Sequence, residues 1–172
     1  MIKPIETVYN GYRFRSRLEA RWAVFFDQLG IKNEYEKEGF DLGELGWYLP
    51  DFWLPESGWF IEVKGTTSDE KELKKARYLD DNPPTNEYGE IIASGCLIFG
   101  WPEIAIFKPA TYSANGKLIY PPEFNDAYVH YQLITMDKNT LTVDDFNQAA
   151  IKARQARFEH GESPVMTGNQ HE

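Results

Sequence analysis

Two strongly apolar segments, residues 47–54 and 59–64, lie close together in the sequence. Residues 55–58 separate them and read Pro-Glu-Ser-Gly, a composition typical of a tight turn. Aromatic and aliphatic side chains dominate both segments, which favours two neighbouring β-strands that are largely buried. Any charged side chain inside such strands needs a compensating partner, because burying an unpaired charge is very unfavourable.

Charged residues nevertheless occur in both segments: Asp51 in the first, and Glu62 and Lys64 in the second. Residues two apart on a strand share a face, so Glu62 and Lys64 should lie side by side, with Ile61 and Val63 toward a core. The turn should bring Asp51 to the same place. Two convergent carboxylates suit a hard divalent cation, and a nearby lysine can steer a water or stabilise developing negative charge.

A solvated ion-pair cluster is the alternative interpretation of these three residues, because Glu-x-Lys pairs are common on protein surfaces. The apolar character of both segments counts against it, since it predicts strands that are mostly buried. We therefore expect the charged residues to form a cleft at the strand ends.

A helix is predicted over residues 16–29, where apolar residues recur at helical spacing and Gly30 suits the C-terminal end. Ser16 and Glu19 fit the capping-box pattern at its start. Glu19 also lies beside the main apolar stripe, so its side chain should face the protein.

At these residues the chain resembles the PD-(D/E)XK nuclease superfamily. The resemblance covers roughly residues 10–100 and is carried by Pro50-Asp51, by Glu62-Val63-Lys64 and by the preceding helix with Glu19. Residues 14–22 also look like the first helix of small phage and bacterial members. The resemblance implies an α/β (α+β) fold with a restriction-endonuclease-like core. That core is a central mixed β-sheet flanked by helices in the order α-β-β-β-α-β, here with a β-rich extension and a C-terminal helix.

The resemblance implies catalytic roles for Glu19, Asp51, Glu62 and Lys64. Asp51, Glu62 and the Val63 carbonyl would hold Mg²⁺ (or Mn²⁺), and Lys64 would orient a water or stabilise the transition-state charge. Glu19 would be the helix carboxylate directed at the site, a role compatible with capping. The expected activity is metal-dependent endonucleolytic hydrolysis of DNA, in phage or bacterial recombination, repair or defence.

Two other functions compete with this one. A catalytically silent nucleic-acid-binding or inhibitor protein could retain the nuclease fold, and the acidic net charge mildly favours such a role. A purely structural cytosolic protein would make the acid cluster incidental. The presence of Asp51, Glu62 and Lys64 together favours activity.

The net charge of −9 argues against simple nucleic-acid binding, because phosphate contacts need lysine and arginine. Residues 1–32, however, hold six basic and three acidic side chains, so this part is net positive and the rest carries −12. We expect DNA to dock at this basic edge, although a solvated charged face is the alternative. The predicted nucleic-acid-binding residues are Arg13, Arg15, Arg17, Arg21, Lys74 and Lys75.

One nuclease-like domain is expected over residues 1–160, with its core at about 10–100, an extension at 101–160 and a flexible tail at 161–172.

Cys96 is the only cysteine, so no intramolecular disulfide can form, and it should be buried in a strand. The chain lacks a long apolar run and a signal-peptide pattern, which predicts a cytoplasmic protein with no membrane contact. Besides DNA, a second copy of the chain or a partner protein is an expected partner, since cutting both strands often requires two active sites. Further helices are predicted at 68–78 and 143–158, and further strands at 31–40, 91–99, 104–108, 117–120 and 128–136.

Overall fold

The computed structural model describes residues 5–65, 70–105, 107–108, 111–112, 118–120, 123–135 and 140–158. These residues form an α+β fold with four α-helices and a mixed sheet. The helices are α1 (Arg17–Gln28), α2 (Glu70–Asp81), α3 (Asp126–Ile134) and α4 (Val143–Gln155). The strands are β1 (Thr7–Tyr9), β2 (Tyr12–Phe14), β3 (Glu34–Tyr35), β4 (Phe40–Asp41), β5 (Trp47–Tyr48), β6 (Phe52–Leu54), β7 (Trp59–Val63), β8 (Gly95–Phe99), β9 (Phe107–Lys108), β10 (Thr111–Tyr112), β11 (Leu118–Tyr120) and β12 (Glu123–Phe124).

A four-stranded sheet with the order β3-β6-β7-β8 forms the centre of the fold. The predicted turn at 55–58 joins β6 to β7 as an antiparallel pair, with Phe52 opposite Ile61. β8 runs parallel to β7, which requires a crossover, and α2 lies within this connection. The elements around the sheet therefore follow the predicted order of helix, three strands, helix and strand.

Alternation along β7 divides the core between the two faces of the sheet. Ile61 and Val63 are buried in the cluster that includes α1, α3 and α4, as the sequence pattern predicts. Phe60 points the other way, into the cluster formed with α2 and with Cys96 of β8. Glu62 shares this second face, which places a carboxylate between the sheet and α2.

α1 packs across the first face and is anchored at both ends. At its start, the Ser16 hydroxyl accepts a hydrogen bond from the Glu19 N–H at 3.2 Å. At its end, Gly30 adopts a φ of 61°, which suits a helix C-terminus. The buried Trp22 indole donates to the Gly100 carbonyl at 2.7 Å, so α1 is fixed against the chain that leaves β8.

The expectation of one continuous strand over residues 47–54 is wrong. Pro50 offers no N–H to a ladder and Asp51 adopts a bend, so the segment forms two strands with different partners. β5 pairs with β4, whereas β6 pairs with β3 and β7. The bend is held by a hydrogen bond from the Glu36 N–H to the Asp51 carbonyl at 2.9 Å.

The predicted strand at 128–136 is also wrong, because residues 128–134 belong to α3; Met136 lies outside the described residues. The Asn125 side chain accepts from the Tyr128 N–H and caps the helix. The buried residues Ala127, Tyr131 and Ile134 recur at helical spacing, and Tyr131 packs against aromatic residues of α1 and α4. Packing on one face therefore outweighs the β-preference of the valine, tyrosine and isoleucine side chains.

The remaining predicted elements are found with shorter bounds, except for α2, which extends beyond the predicted end at residue 78 to Asp81. The helix predicted at 143–158 is α4, and that at 68–78 is α2, whose predicted N-cap Ser68 lies outside the described residues. The strands at 31–40, 91–99, 104–108 and 117–120 correspond to β3, β8, β9 and β11. The predicted tail at 161–172 also lies outside the described residues. Among the described residues, none of the helices is both long and apolar enough to cross a membrane.

We predict that Gly95→Ala weakens the parallel pairing of β7 and β8. Gly95 has a φ of 144°, and an added Cβ would collide with Asp80 Oδ1 and lie 2.9 Å from the Trp59 ring. Gly89→Ala is the matched control, because Gly89 also has a positive φ, of 79°, but nothing lies within 4 Å of an added Cβ. Backbone strain costs about 1–3 kcal/mol at either site, and overpacking adds about 1–3 kcal/mol at Gly95 alone. Equal losses of unfolding free energy in denaturant titrations would contradict the close packing at Gly95.

Candidate active site

Asp51 lies at the bend before β6 with only 2% of its surface exposed. Its two carboxylate oxygens have different partners. Oδ1 accepts from Arg15 Nη2 at 2.7 Å, and Oδ2 accepts from the Val63 N–H at 2.6 Å. The backbone of β7 therefore fixes the carboxylate, while a side chain from the start of α1 compensates its charge.

Glu62, which is 3% exposed, is also bonded through both oxygens. Oε1 forms an ion pair with Lys64 Nζ at 2.5 Å, which confirms that the two residues share a face. Oε2 accepts from the buried Tyr48 hydroxyl at 2.7 Å. The Lys64 N–H donates to the Phe99 carbonyl at 2.8 Å, so this residue is held where β7 ends beside β8.

Glu19 links the start of α1 to the same cluster and is 7% exposed. Its Oε1 accepts from the Ser16 hydroxyl at 2.7 Å. Its Oε2 accepts from the Tyr35 hydroxyl at 2.5 Å and from the Arg15 N–H at 3.1 Å. Glu19 therefore supports the helix start, although with a different bond pattern from the predicted capping box, and also faces the acidic cluster.

The other two carboxylates of the cluster affect the pKa of Asp51. Burial, followed by the negative charges of Glu62 and Glu19, raises the pKa of Asp51 well above its usual value. The Val63 N–H and the Arg15 guanidinium lower this pKa, but they offset only part of the rise. A pKa above the unfolded value means that ionised Asp51 destabilises the fold, increasingly so as pH rises through the folded-state pKa. A further positive charge at this position would therefore be stabilising.

The pKa of Lys64 is also raised, although burial acts on it in the opposite direction. Burial alone lowers its pKa, but the ion pair with Glu62 and the charges of Asp51 and Glu72 outweigh burial, so the pKa is raised. The side chain is consequently an ammonium at neutral pH. It can donate hydrogen bonds and stabilise negative charge, but it cannot accept a proton.

The burial of Asp51 and Glu62 does not fit the alternative of a solvated ion-pair cluster. The structure brings Glu19, Asp51, Glu62, Val63 and Lys64 together through the contacts above. The resemblance implies that the Val63 carbonyl binds the metal, whereas the contact seen here is from the Val63 N–H to Asp51. All five predicted catalytic or metal-binding residues therefore belong to one cluster.

The donor set of the cluster fits a divalent cation. Among the described residues, no group of three or more His, Cys, Asp or Glu side chains is arranged as a metal centre. Asp51 and Glu62 supply two buried carboxylates, and each of their four oxygens accepts one hydrogen bond and keeps a further lone pair. The donor set is oxygen-only, and burial together with the charges of Glu62 and Glu19 raises the Asp51 pKa, so the residues suit a hard cation such as Mg²⁺.

The predicted basic residues occupy different environments. Arg15 joins the cluster by bridging Asp51 and Glu36, and its side chain is 57% exposed. Arg13 pairs with Glu6 on the N-terminal hairpin, and Lys74 pairs with Glu70 on α2. Lys75 is 12% exposed and binds Glu72 and the Trp47 carbonyl, which leaves it little capacity for a ligand. Arg17 and Arg21 line a separate pocket.

Several residues of the cluster were not identified from the sequence. Tyr48 and Tyr35 donate to Glu62 and Glu19, Glu36 pairs with Arg15, and Glu72 lies near Lys64. Tyrosine and surface-type glutamate carry no motif, so only their positions in space identify them. Cys96 is buried as predicted and lies 3.7 Å from the Tyr48 hydroxyl, and burial raises the pKa of its thiol to about 12.

Comparisons of this chain with protein-family models, with curated proteins and with solved structures gave no match.

We predict that Tyr48→Phe destabilises the protein without changing its shape. The substitution keeps the ring but removes the hydroxyl that donates to Glu62, and loss of a buried bond to a charged group costs about 1–3 kcal/mol. Tyr88→Phe is the matched control, because the Tyr88 ring is largely exposed. Denaturant titration of both variants measures the difference. Equal unfolding free energies in the two variants would mean that Tyr48 does not support the Glu62 carboxylate.

Proposed function

We propose that this protein is a metal-dependent endonuclease of the PD-(D/E)XK type, with a restriction-endonuclease-like core, that hydrolyses phosphodiester bonds in DNA. One observation carries the proposal. Asp51 and Glu62 are buried together at the ends of adjacent strands, with the Lys64 ammonium on Glu62 and the Glu19 carboxylate close by. A buried group of like charges with a perturbed pKa is unfavourable for folding alone, and such groups concentrate at functional sites.

In this proposal Asp51, Glu62 and the Val63 carbonyl would hold Mg²⁺ or Mn²⁺. When bound, the ion would supply Lewis-acid polarisation of the phosphate and acidify a water. Ionised Asp51 is the form that binds, so affinity for the ion should rise with pH through the raised pKa of this carboxyl. Arg15 keeps part of the Asp51 population ionised through its ion pair.

Lys64 acts as a hydrogen-bond donor and a positive charge. Its raised pKa excludes it as the base, so its task is to orient the attacking water and to stabilise the negative charge that develops on the phosphate. The water oxygen forms a new bond to phosphorus while one phosphorus–oxygen ester bond breaks. The attacking water releases one proton to solvent and the leaving oxygen takes one up, so the products are a phosphate monoester and an alcohol.

Glu19 contributes negative charge to the same place. Its influence on the Asp51 pKa shows that the two carboxylates are close enough to interact. In the proposed mechanism this charge helps to hold the cation and to orient the water. The Tyr35 hydroxyl and the Arg15 N–H fix the carboxylate in position.

A second candidate is a catalytically silent nucleic-acid-binding or inhibitor protein. One observation favours it. Arg15 forms an ion pair with Asp51 and Lys64 forms one with Glu62, so the chain itself partly neutralises the cluster. The acidic net charge of −9 agrees with a role in docking to a partner. Cleavage activity separates the two candidates.

We expect the purified protein to cleave DNA in Mg²⁺ or Mn²⁺ and not in EDTA. Linear duplex, circular single-stranded and branched DNA, with RNA in parallel, identify the preferred form. Lys64→Gln keeps a donor toward Glu62 but lacks the charge, and we expect cleavage to fall about 10²–10³-fold. Lys32→Gln is the control, since Lys32 is an exposed lysine paired with Glu56. Activity that is unchanged in Lys64→Gln would point to a contaminating nuclease, and no cleavage of any substrate would favour the second candidate.

Glu19→Gln separates the structural role of Glu19 from its charge. The glutamine oxygen can accept from Tyr35 and Arg15, and its amide can donate to the Ser16 hydroxyl. We therefore expect a melting temperature close to that of the wild type together with the loss of most cleavage. Both are measured on the same preparation. Full activity in this variant would restrict Glu19 to support of the helix start.

A further inference from the structure

A surface pocket of about 640 Å³ lies between the start of α1 and the end of α4. This volume is within the range of about 300–1,000 Å³ that is typical of ligand pockets. None of the described residues that line it is acidic, although the chain as a whole has a net charge of −9. Four of the lining residues are arginines, namely Arg17, Arg21, Arg154 and Arg157.

Two of the four guanidinium groups are held in place by Trp101, which follows β8. The guanidinium carbons of Arg21 and Arg154 lie 4.9 Å and 5.8 Å from the centre of a Trp101 ring. Arg154 also donates to the Pro102 carbonyl at 3.0 Å. Arginines that are stacked and hydrogen-bonded in this way lose less conformational freedom when they bind a ligand.

Helix electrostatics alone do not explain the pocket. Arg154 lies in the last turn of α4 and Arg157 just beyond it, where cations offset the negative end of the helix dipole. Arg17 and Arg21 lie in the first half of α1, and Arg17 is its first residue, where the dipole disfavours a cation. Four positive charges from two helices also repel one another. An anionic ligand would relieve this repulsion.

The pocket and the acidic cluster lie at the same end of β7 and β8. Arg17 and Glu19 share the first turn of α1. On the other side, Lys64 hydrogen-bonds to Phe99, two residues before the Trp101 ring that supports Arg21. The first turn of α1 and the end of β8 therefore connect the acidic cluster to the pocket.

We propose that this four-arginine pocket binds a backbone phosphate of the DNA, at a position away from the phosphate that reacts. The planar guanidinium groups match phosphate oxygens in pairs, which is the usual mode of arginine–phosphate recognition. The pocket adds Arg154 and Arg157 to the binding surface and gives an acidic protein a local site for a polyanion. The inference rests on the proposed function, because it takes DNA as the substrate of the adjacent cluster.

The test compares two double variants that remove the same amount of charge. Arg154→Gln with Arg157→Gln alters the pocket, and Lys32→Gln with Arg77→Gln removes two exposed charges that do not line it.

Fluorescence anisotropy with labelled duplex and single-stranded DNA, in EDTA to prevent cleavage, gives the Kd at several salt concentrations. We expect the pocket variant to bind about tenfold or more weakly. Its slope of log K against log salt should fall by about one for each phosphate that the variant no longer binds. The control double variant should retain a slope close to that of the wild type.

Equal weakening in both double variants, or an unchanged salt slope in the pocket variant, would overturn the inference. Arg157→Gln alone serves as a second variant, because Arg154 also binds Pro102 and its loss can affect folding. Thermal melts with inorganic phosphate distinguish the source of the phosphate group. Phosphate that stabilises the wild type but not the pocket variant, with DNA affinity unchanged, would assign the pocket to a free phosphate and overturn the DNA assignment.

These measurements are independent of catalysis. If the pocket variant loses DNA binding while the wild type never cleaves DNA, the pocket inference stands and the nuclease proposal fails. If the wild type cleaves DNA and the pocket variant binds as the wild type does, only the pocket inference fails.

Discussion

The burial of the Asp51 and Glu62 carboxylates in one cluster is the constraint on which the rest of the site depends. Each oxygen of the pair requires a donor, and the fold supplies them from four separate groups: the Val63 N–H, Arg15, Tyr48 and Lys64. The bend at Asp51 places its carboxylate beside the Val63 N–H, and Arg15 reaches it from the segment before α1. Even so, the pKa of Asp51 stays raised, because the donors compensate only part of the negative charge. The ionised cluster therefore destabilises the fold, and a further positive charge would offset this cost.

The arginines of this acidic protein are concentrated on the side where the proposed polyanionic substrate would bind. The arginines at the start of α1 divide into two groups, since Arg15 turns into the cluster and Arg17 turns into the pocket with Arg154. The proposed substrate would therefore meet Arg15 and Lys64 at the reacting position and the arginines of the pocket beside it. Few contacts in total imply a modest affinity and a small slope of log K against log salt, because the slope grows with the number of phosphates contacted.

The elements that the sequence predicts best are those that depend on residues close together in the chain. The β6–β7 turn, α1, α4 and the pairing of Glu62 with Lys64 all follow from spacing and turn composition. The hairpin of β1 and β2 was missed, although Asn10-Gly11 is a strong signal and both residues adopt positive φ. The β-preference of residues 128–136 predicts a strand, whereas the aromatic core that α3 packs against is seen only in the structure. Tyr48 and the arginines of α4 could not be assigned, because only tertiary contacts bring them to Glu62 and to Arg17.

Binding of Mn²⁺ measured by titration calorimetry tests the central claim most directly, because it does not require the substrate to be known. The account predicts saturable binding to the wild type. Binding should be lost in Asp51→Asn, kept in Lys32→Gln, and weaker as pH falls through the raised pKa of Asp51. Circular dichroism should show that all three proteins are folded. Mn²⁺ binding of equal affinity in Asp51→Asn and the wild type would contradict the assignment of this cluster as a metal site.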